Sequence, residues 1–353
     1  MTPRILSRRP ARSAAALVLA AALTAGVAAC GPSAAGGSGP GSGTPLRIAL
    51  DYTPNVDYLG IYVAITNGYF RAEGIDPKII PYSGIPAETL LEEHKTDLGL
   101  TYPPSIPAYR AARPPLDYEA VAGLSQRNTI NIAVLASSPY RDVAQLNGTL
   151  YGGFGVPSDK PIIEAVLRRA GVRHPVYRVL DLGDQAYRAL ADHRVAYTIT
   201  YGGIDDVTAE LQGVRLRQFP IRRFLPQAFS FPDDAFVALD REVKEHPGLL
   251  RRGLRALARG YEYAARHPAE AESILIRDNR TALGDAKRVI DATGDATAPT
   301  FVGRSGVWGT MDDADFAGIT RILVSGGLIP AGRAPSPGQD FTDSLLPRTA
   351  RLR

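Results

Sequence analysis

The chain has 353 residues, 40 of them basic and 36 acidic, a formal charge of +4, and a single cysteine. Four arginines and no acid lie within residues 1–29, so the excess charge belongs to that segment and the remainder is balanced. That balance excludes nucleic acid as a partner on bulk charge, the lone cysteine excludes internal disulfides, and the length suits two lobes better than one core.

Residues 1–29 read as a secretory signal peptide. Arg4, Arg8, Arg9 and Arg12 make a basic start, and a small apolar run ends in Val27-Ala28-Ala29. The run is too short and too alanine-rich for a membrane span. Cys30 follows directly and precedes Gly31, which resembles a bacterial lipobox; the resemblance implies a lipid on the Cys30 sulfur and a membrane anchor. Residues 30–45, dominated by Gly, Ser and Pro, read as a flexible tether.

From residue 46 onward short apolar strands alternate with amphipathic helices, the signature of an α/β fold. "PLRIALDY" predicts a strand, "DYLGIYVAITNG" a helix closed by Gly68, "IDPKIIPY" a strand, "PAETLLEEHKTD" a helix, and "LGLTYPP" a third strand. A short helix, "SIPAYRAAR", and the strand "LDYEAVAGLS" follow. The middle of the chain starts again: strand "NTINIAVLASS", helix "KPIIEAVLRRAG", strand "VYRVLDL", helix "DQAYRALADHR", strand "VAYTITYGG" and helix "IDDVTAELQG". "DDAFVALDREV" returns to strand character before a long helical tail, "PGLLRRGLRALARGYEYAARHPAEAESILIRD", and a last helix capped near Asp312 and Asp313. The expected organisation is a first lobe of residues 46–133 plus 231–353, a second lobe of 134–230, and a hinge of two crossing strands.

No catalytic constellation stands out. The five histidines are scattered, with no pair at metal-ligand spacing, and the single cysteine lies outside the folded part, so no metal site is expected. There is no G-x-S-x-G elbow, no phosphate loop of the G-x-x-x-x-G-K type and no G-x-G-x-x-G after the first strand. Neither an enzyme nor a bound cofactor is expected.

What recurs is a polar or aromatic strand end beside glycine or proline. Four such ends are Asp51-Tyr52-Thr53-Pro54-Asn55, Thr101-Tyr102-Pro103-Pro104-Ser105, Gly152-Gly153-Phe154-Gly155 and Thr200-Tyr201-Gly202-Gly203. In open α/β sheets, ligands sit beyond the carboxyl ends of strands. Two of these loops belong to each expected lobe, so facing lobes would bring all four to one cleft. Tyrosine faces suit a planar ring, glycines admit backbone close to a ligand, and Asp51 and Asp205 can accept hydrogen bonds from ring N–H or amino groups. A plain structural reading stays open for each: helix capping and core tyrosines at Asp51, a tight turn at Gly152, core packing at Tyr102 and Tyr201.

"LDYTPNVDYLGIYVAITNGYFRAEGID", "YGGFGVPSDKPIIEAVLRRAG", "GYEYAARHPAEAESIL" and "WGTMDDADFAGITRILVSGGLI" resemble, in this order, the ABC-importer solute-binding proteins related to thiamine pyrimidine synthase. The resemblance spans residues 46 to about 347. It implies a type II periplasmic-binding fold with ligand held between the lobes, an ABC permease as partner, and a monomer without cofactor. By position it assigns ligand contact to Asp51, Tyr52, Asn55, Tyr58 and Tyr62 and to Gly152, Gly153 and Gly155. Tyr52 stands where the family commonly has tryptophan, and Tyr58 where the pyrimidine branch commonly has histidine. The enzyme branch uses that histidine and a cysteine-rich motif; neither is present, so the resemblance implies a binder. A thiamine-precursor pyrimidine is the implied ligand, with riboflavin, a sulfonate or another small solute as alternatives.

Overall fold

Two sheets built on one topological plan organise the chain. The computed structural model describes residues 43–347 except 227, 231, 284, 285, 304, 305 and 337. The expected leader, Cys30 and all but the end of the tether lie outside the described residues. The first sheet holds β1 (Thr44–Ala49), β2 (Ile75–Ile80), β3 (Leu98–Thr101), β4 (Tyr118–Gly123) and β10 (Ala235–Leu239), in the order β2-β1-β3-β10-β4. The second holds β5 (Ile130–Leu135), β6 (Leu150–Gly153), β7 (Arg178–Asp181), β8 (Tyr197–Tyr201) and β9 (Leu216–Pro220), in the order β7-β6-β8-β5-β9. In each sheet three parallel strands meet one antiparallel strand, which reaches that sheet from the other.

Burial explains the order. β3, β5 and β10 are buried at every residue and occupy inner positions, as continuous apolar runs must. β7 is exposed along its length and takes an edge. The change of sheet comes at Ile130, where the fully buried β5 begins, rather than at residue 134 as expected. The edge at β4 is covered: Ala120 donates to the Asp340 carbonyl at 2.9 Å and accepts from the Thr342 N–H at 2.8 Å.

Among the helices of the described residues are α1 (Leu59–Thr66), α2 (Asp159–Arg169), α3 (Val207–Leu211), α4 (Pro247–Arg266), α5 (Pro268–Asp278), α6 (Lys287–Thr297) and α7 (Asp313–Ser325). The long tail expected after residue 247 is two helices. Pro268 cannot donate to the preceding turn, and the chain bends at His267 with φ −135°. α1 packs on α4 and α5. Beneath α4, Tyr261 lies flat on Trp308, with ring centres 4.9 Å apart and planes at 4°.

Beside the two crossing segments, helices also pack between the lobes. The crossing segments are tied together where Asp233 accepts from the Thr129 N–H at 2.9 Å and its hydroxyl at 2.7 Å. α7 packs against α2 of the second lobe as well as helix Ser105–Arg110 of the first, and one apolar cluster runs from Tyr118 and Val237 through Phe316 and Ile319 to Ile132 and Ile162. On the other side, α6 packs against α3 and the turn Gly202–Asp206.

Candidate functional site

The turn after β1 is built from side chains that hold one another. Asn55 accepts from the Asp57 N–H at 2.8 Å and so caps the short helical turn Val56–Tyr58. The Tyr58 hydroxyl donates to Asp51 Oδ1 at 2.9 Å and accepts from the Tyr52 N–H at 2.9 Å. Tyr58 is 1 % exposed, so it braces the turn from below and does not face a cleft. Tyr62 goes elsewhere: its hydroxyl donates to Asn279 Oδ1 at 2.8 Å, just past α5.

Tyr52 is the residue that reaches across. Its ring lies 6.1 Å from that of Tyr82, nearly parallel at 26°, and 6.2 Å from that of Phe154 in the second lobe. Burial raises the Tyr52 phenol pKa, and Asp184 and Asp205 of the second lobe add to the rise. Phe154 is 42 % exposed although large and apolar. The glycines around it have separate reasons. A Cβ on Gly153 would meet Val179 at 2.9 Å and Asp159 at 3.3 Å, and one on Gly152 would meet Val195 at 3.0 Å. Gly155 has φ +97°, which side chains avoid. Asp159, the buried first residue of α2, is pushed up to about 7 by burial.

The remaining strand ends bring acids. Tyr102 is half-buried with Asp159, Asp233 and Asp234 around it, and Ser105 opens its helix with its N–H donating to the Tyr102 carbonyl at 2.9 Å. Asp205 accepts from the Tyr201 N–H at 2.9 Å. Tyr201 lines a cavity of about 10 Å³ with Asp57, Thr129, Gly203, Ile204, Asp233, Thr297 and Thr300. That volume is about that of one water molecule. A Cβ on Gly203 would collide with the Thr297 hydroxyl, so only glycine lets the Gly202–Asp206 turn come this close to α6.

Five carboxylates thus gather: Asp51, Asp57, Asp205, Asp233 and Asp234. Burial is the first cause of a raised pKa in all of them. Asp205 rises to about 6 and Asp233 to about 7. Asp57 and Asp234 rise well above the carboxylate range, with neighbouring carboxylates adding to the effect of burial. Among the described residues no lysine or arginine offsets these shifts, and no three His, Cys, Asp or Glu are placed to hold a metal ion.

The structure therefore brings together Asp51, Tyr52, Phe154, Tyr201 and Asp205, places Tyr102 and Ser105 behind them, and leaves Tyr58 and Tyr62 as framework. Sequence reasoning missed Tyr82, Asp57, Asp184, Asp233 and Asp234 as site residues. Tyr82 follows β2, so the strand-end rule applied once more would have found it. Asp233 and Asp234 precede β10; because β10 runs antiparallel, its start lies where its neighbours end.

Residues 55–271 match the family described as NMT1/THI5 like. The chain is 27% identical over 236 residues to the formylaminopyrimidine-binding protein of Halalkalibacterium halodurans, covering 65% of this chain and 69% of that protein. It is 24% identical to the riboflavin-binding protein RibY of Chloroflexus aurantiacus, covering 66% of each. Among solved structures, it resembles the ligand-binding component of an ABC-type import system from Staphylococcus aureus with TM-score 0.65 and 11% identity, over 87% of this chain and 99% of that one. The aliphatic sulphonate binding protein of Escherichia coli aligns with TM-score 0.61 and 19% identity, over 82% of this chain and 94% of that one. With the two mixed sheets, these likenesses show the two-lobe periplasmic-binding fold, as expected.

Proposed function

The chain belongs to the NMT1/THI5-like family, and on that premise we propose that it is the extracytoplasmic solute-binding protein of an ABC importer. It captures a small planar heterocycle between its lobes, such as a thiamine pyrimidine precursor, and presents it to a permease. The observation that carries this reading is the aromatic contact across the lobes, Tyr52 and Tyr82 from the first facing Phe154 from the second. Stacking offers flat apolar area, and the half-exposed Phe154 is the wall that a ring would cover. The relative named for formylaminopyrimidine supports a pyrimidine, and the one named for riboflavin supports a larger ring. A sulfonate fits poorly, because an anion would enter among five carboxylates, two of them buried and three half-buried.

A ligand that needs both lobes stabilises the closed state by its differential affinity for it. Cys30 carries the lipid, and the Gly-, Ser- and Pro-rich stretch between it and β1, which starts at Thr44, gives the domain reach from the membrane. The test is a thermal-shift screen of the purified domain with aminopyrimidines, flavins and sulfonates. At a hundredfold excess over Kd, a true ligand adds about 2.7 kcal/mol of stability. No rise in melting temperature with any planar heterocycle would sink the reading.

A further inference from the structure

The proposed binding function leaves the charge of the solute open, and the acids of the cleft speak to it. Asp234 is 8 % exposed, and among the described residues its carboxylate finds no hydrogen-bond donor; it faces Asp51, Asp57 and Asp233. The Asp57 carboxylate likewise has no donor and lines the small cavity. The Thr297 hydroxyl, 6 % exposed, reaches the same cavity with no partner. A folded interior rarely leaves groups as buried as Asp234 and the Thr297 hydroxyl unmet, whereas Asp57 is half-buried. By contrast, Asp233 is met by Thr129, Asp205 by the Tyr201 N–H, and Asp51 by Tyr58. Asp57 and Asp233 line the small cavity with the Thr297 hydroxyl, and Asp234 stands beside both acids, outside that lining.

A compact metal ion does not answer this need, because no three ligands converge among the described residues. An extended organic cation does. We propose that the solute is a cation, a planar ring bearing protonated nitrogen, whose N–H groups enter between Asp57 and Asp234 while the ring lies against Tyr52, Tyr82 and Phe154. The inference rests on the small-solute reading and narrows it. The cavity in this structure holds one water at most, so the lobes part to admit the solute and close on it. The charged groups around the cation are the five aspartates; the phenols of Tyr58, Tyr102, Tyr201 and Tyr261 face them, held neutral by burial.

Titration calorimetry on the full folded domain tests this with planar probes matched in shape and different in charge. One pair is 4-amino-5-aminomethyl-2-methylpyrimidine, cationic at neutral pH, and its neutral N-formyl derivative. A second is benzamidine and benzamide, with benzenesulfonate as the anion. The cationic member should bind at least about tenfold tighter than its neutral partner, and the sulfonate not at all. Asp57→Asn and Asp234→Asn should each shrink that ratio, and two variants guard against one failing to fold. Neutral members binding as tightly as cations, a ratio surviving both variants, or riboflavin binding while every cation fails would each overturn the charge assignment and leave the solute-binding reading standing. Failure of every planar probe would overturn both.

Discussion

Tyr58 and Tyr62 sit one helical turn apart and do different jobs. The Tyr58 hydroxyl holds both Asp51 and the Tyr52 N–H, so it sets the turn that carries the stacking ring. Tyr58→Phe strands both partners and should cost about 1–3 kcal/mol of stability, with weaker ligand binding because Tyr52 loses its fixed direction. Tyr62→Phe removes one hydrogen bond, to Asn279, and should cost about 1 kcal/mol without changing ligand affinity. Urea denaturation and ligand titration of the two variants separate the roles; equal affinity losses would contradict this assignment. The stretch from Asp51 to Tyr62 was legible in the sequence as a polar and aromatic strand end, with helix capping and core packing as open alternatives. It did not show which tyrosine faced the cleft. That depends on the helical turn Val56–Tyr58, which shifts the phase of α1, and on partners more than 200 residues away, as Asn279 is from Tyr62.

At the level of elements, sheets were legible where apolar runs are continuous, as in β3, β5 and β10, since only inner strands are buried on both faces. The links between lobes were not. α6 and α7 carry ordinary amphipathic patterns, and nothing local says that each packs on both lobes. The consequence is a closure surface of backbone against side chain, where Gly203 meets Thr297. Gly203→Ala places a methyl where the Thr297 hydroxyl now lies. It should leave each sheet intact and hold the turn Gly202–Asp206 off α6, so the closed state is disfavoured. Overpacking of this kind costs about 1–3 kcal/mol, and ligand affinity should fall by about tenfold or more. Small-angle scattering with saturating ligand should show a larger radius for the variant than for the parent. The double variant Gly203→Ala/Thr297→Gly should restore the parent radius and much of the affinity; no restoration would mean that this contact does not govern closure.

For the whole molecule, a two-lobe fold with an acidic cleft implies a particular response to pH. Each buried cleft carboxyl titrates above its unfolded value of about 3.9, Asp205 at about 6 and Asp233 at about 7. Between the unfolded and folded values the native chain binds more protons than the unfolded chain, so stability falls as pH rises. Asp159 and Asp340, each at about 7, act in the same direction. The ligand-free protein should therefore be most stable near pH 4 and lose stability steadily as pH climbs through about 7, the folded value of Asp159, Asp233 and Asp340. A cationic solute reverses the trend, because it binds the ionised carboxylates and expels their protons. Its affinity should rise over the same interval, with proton release visible in calorimetry as a dependence of the heat on the buffer's ionisation enthalpy. A neutral solute would release no protons and leave the ligand-free slope in place. Melting curves from pH 4 to 8, with and without ligand, therefore separate a cleft that stores protons from one that exchanges them for its cargo, and a ligand-free protein that grew more stable toward pH 8 would show that these carboxylates are not buried in solution.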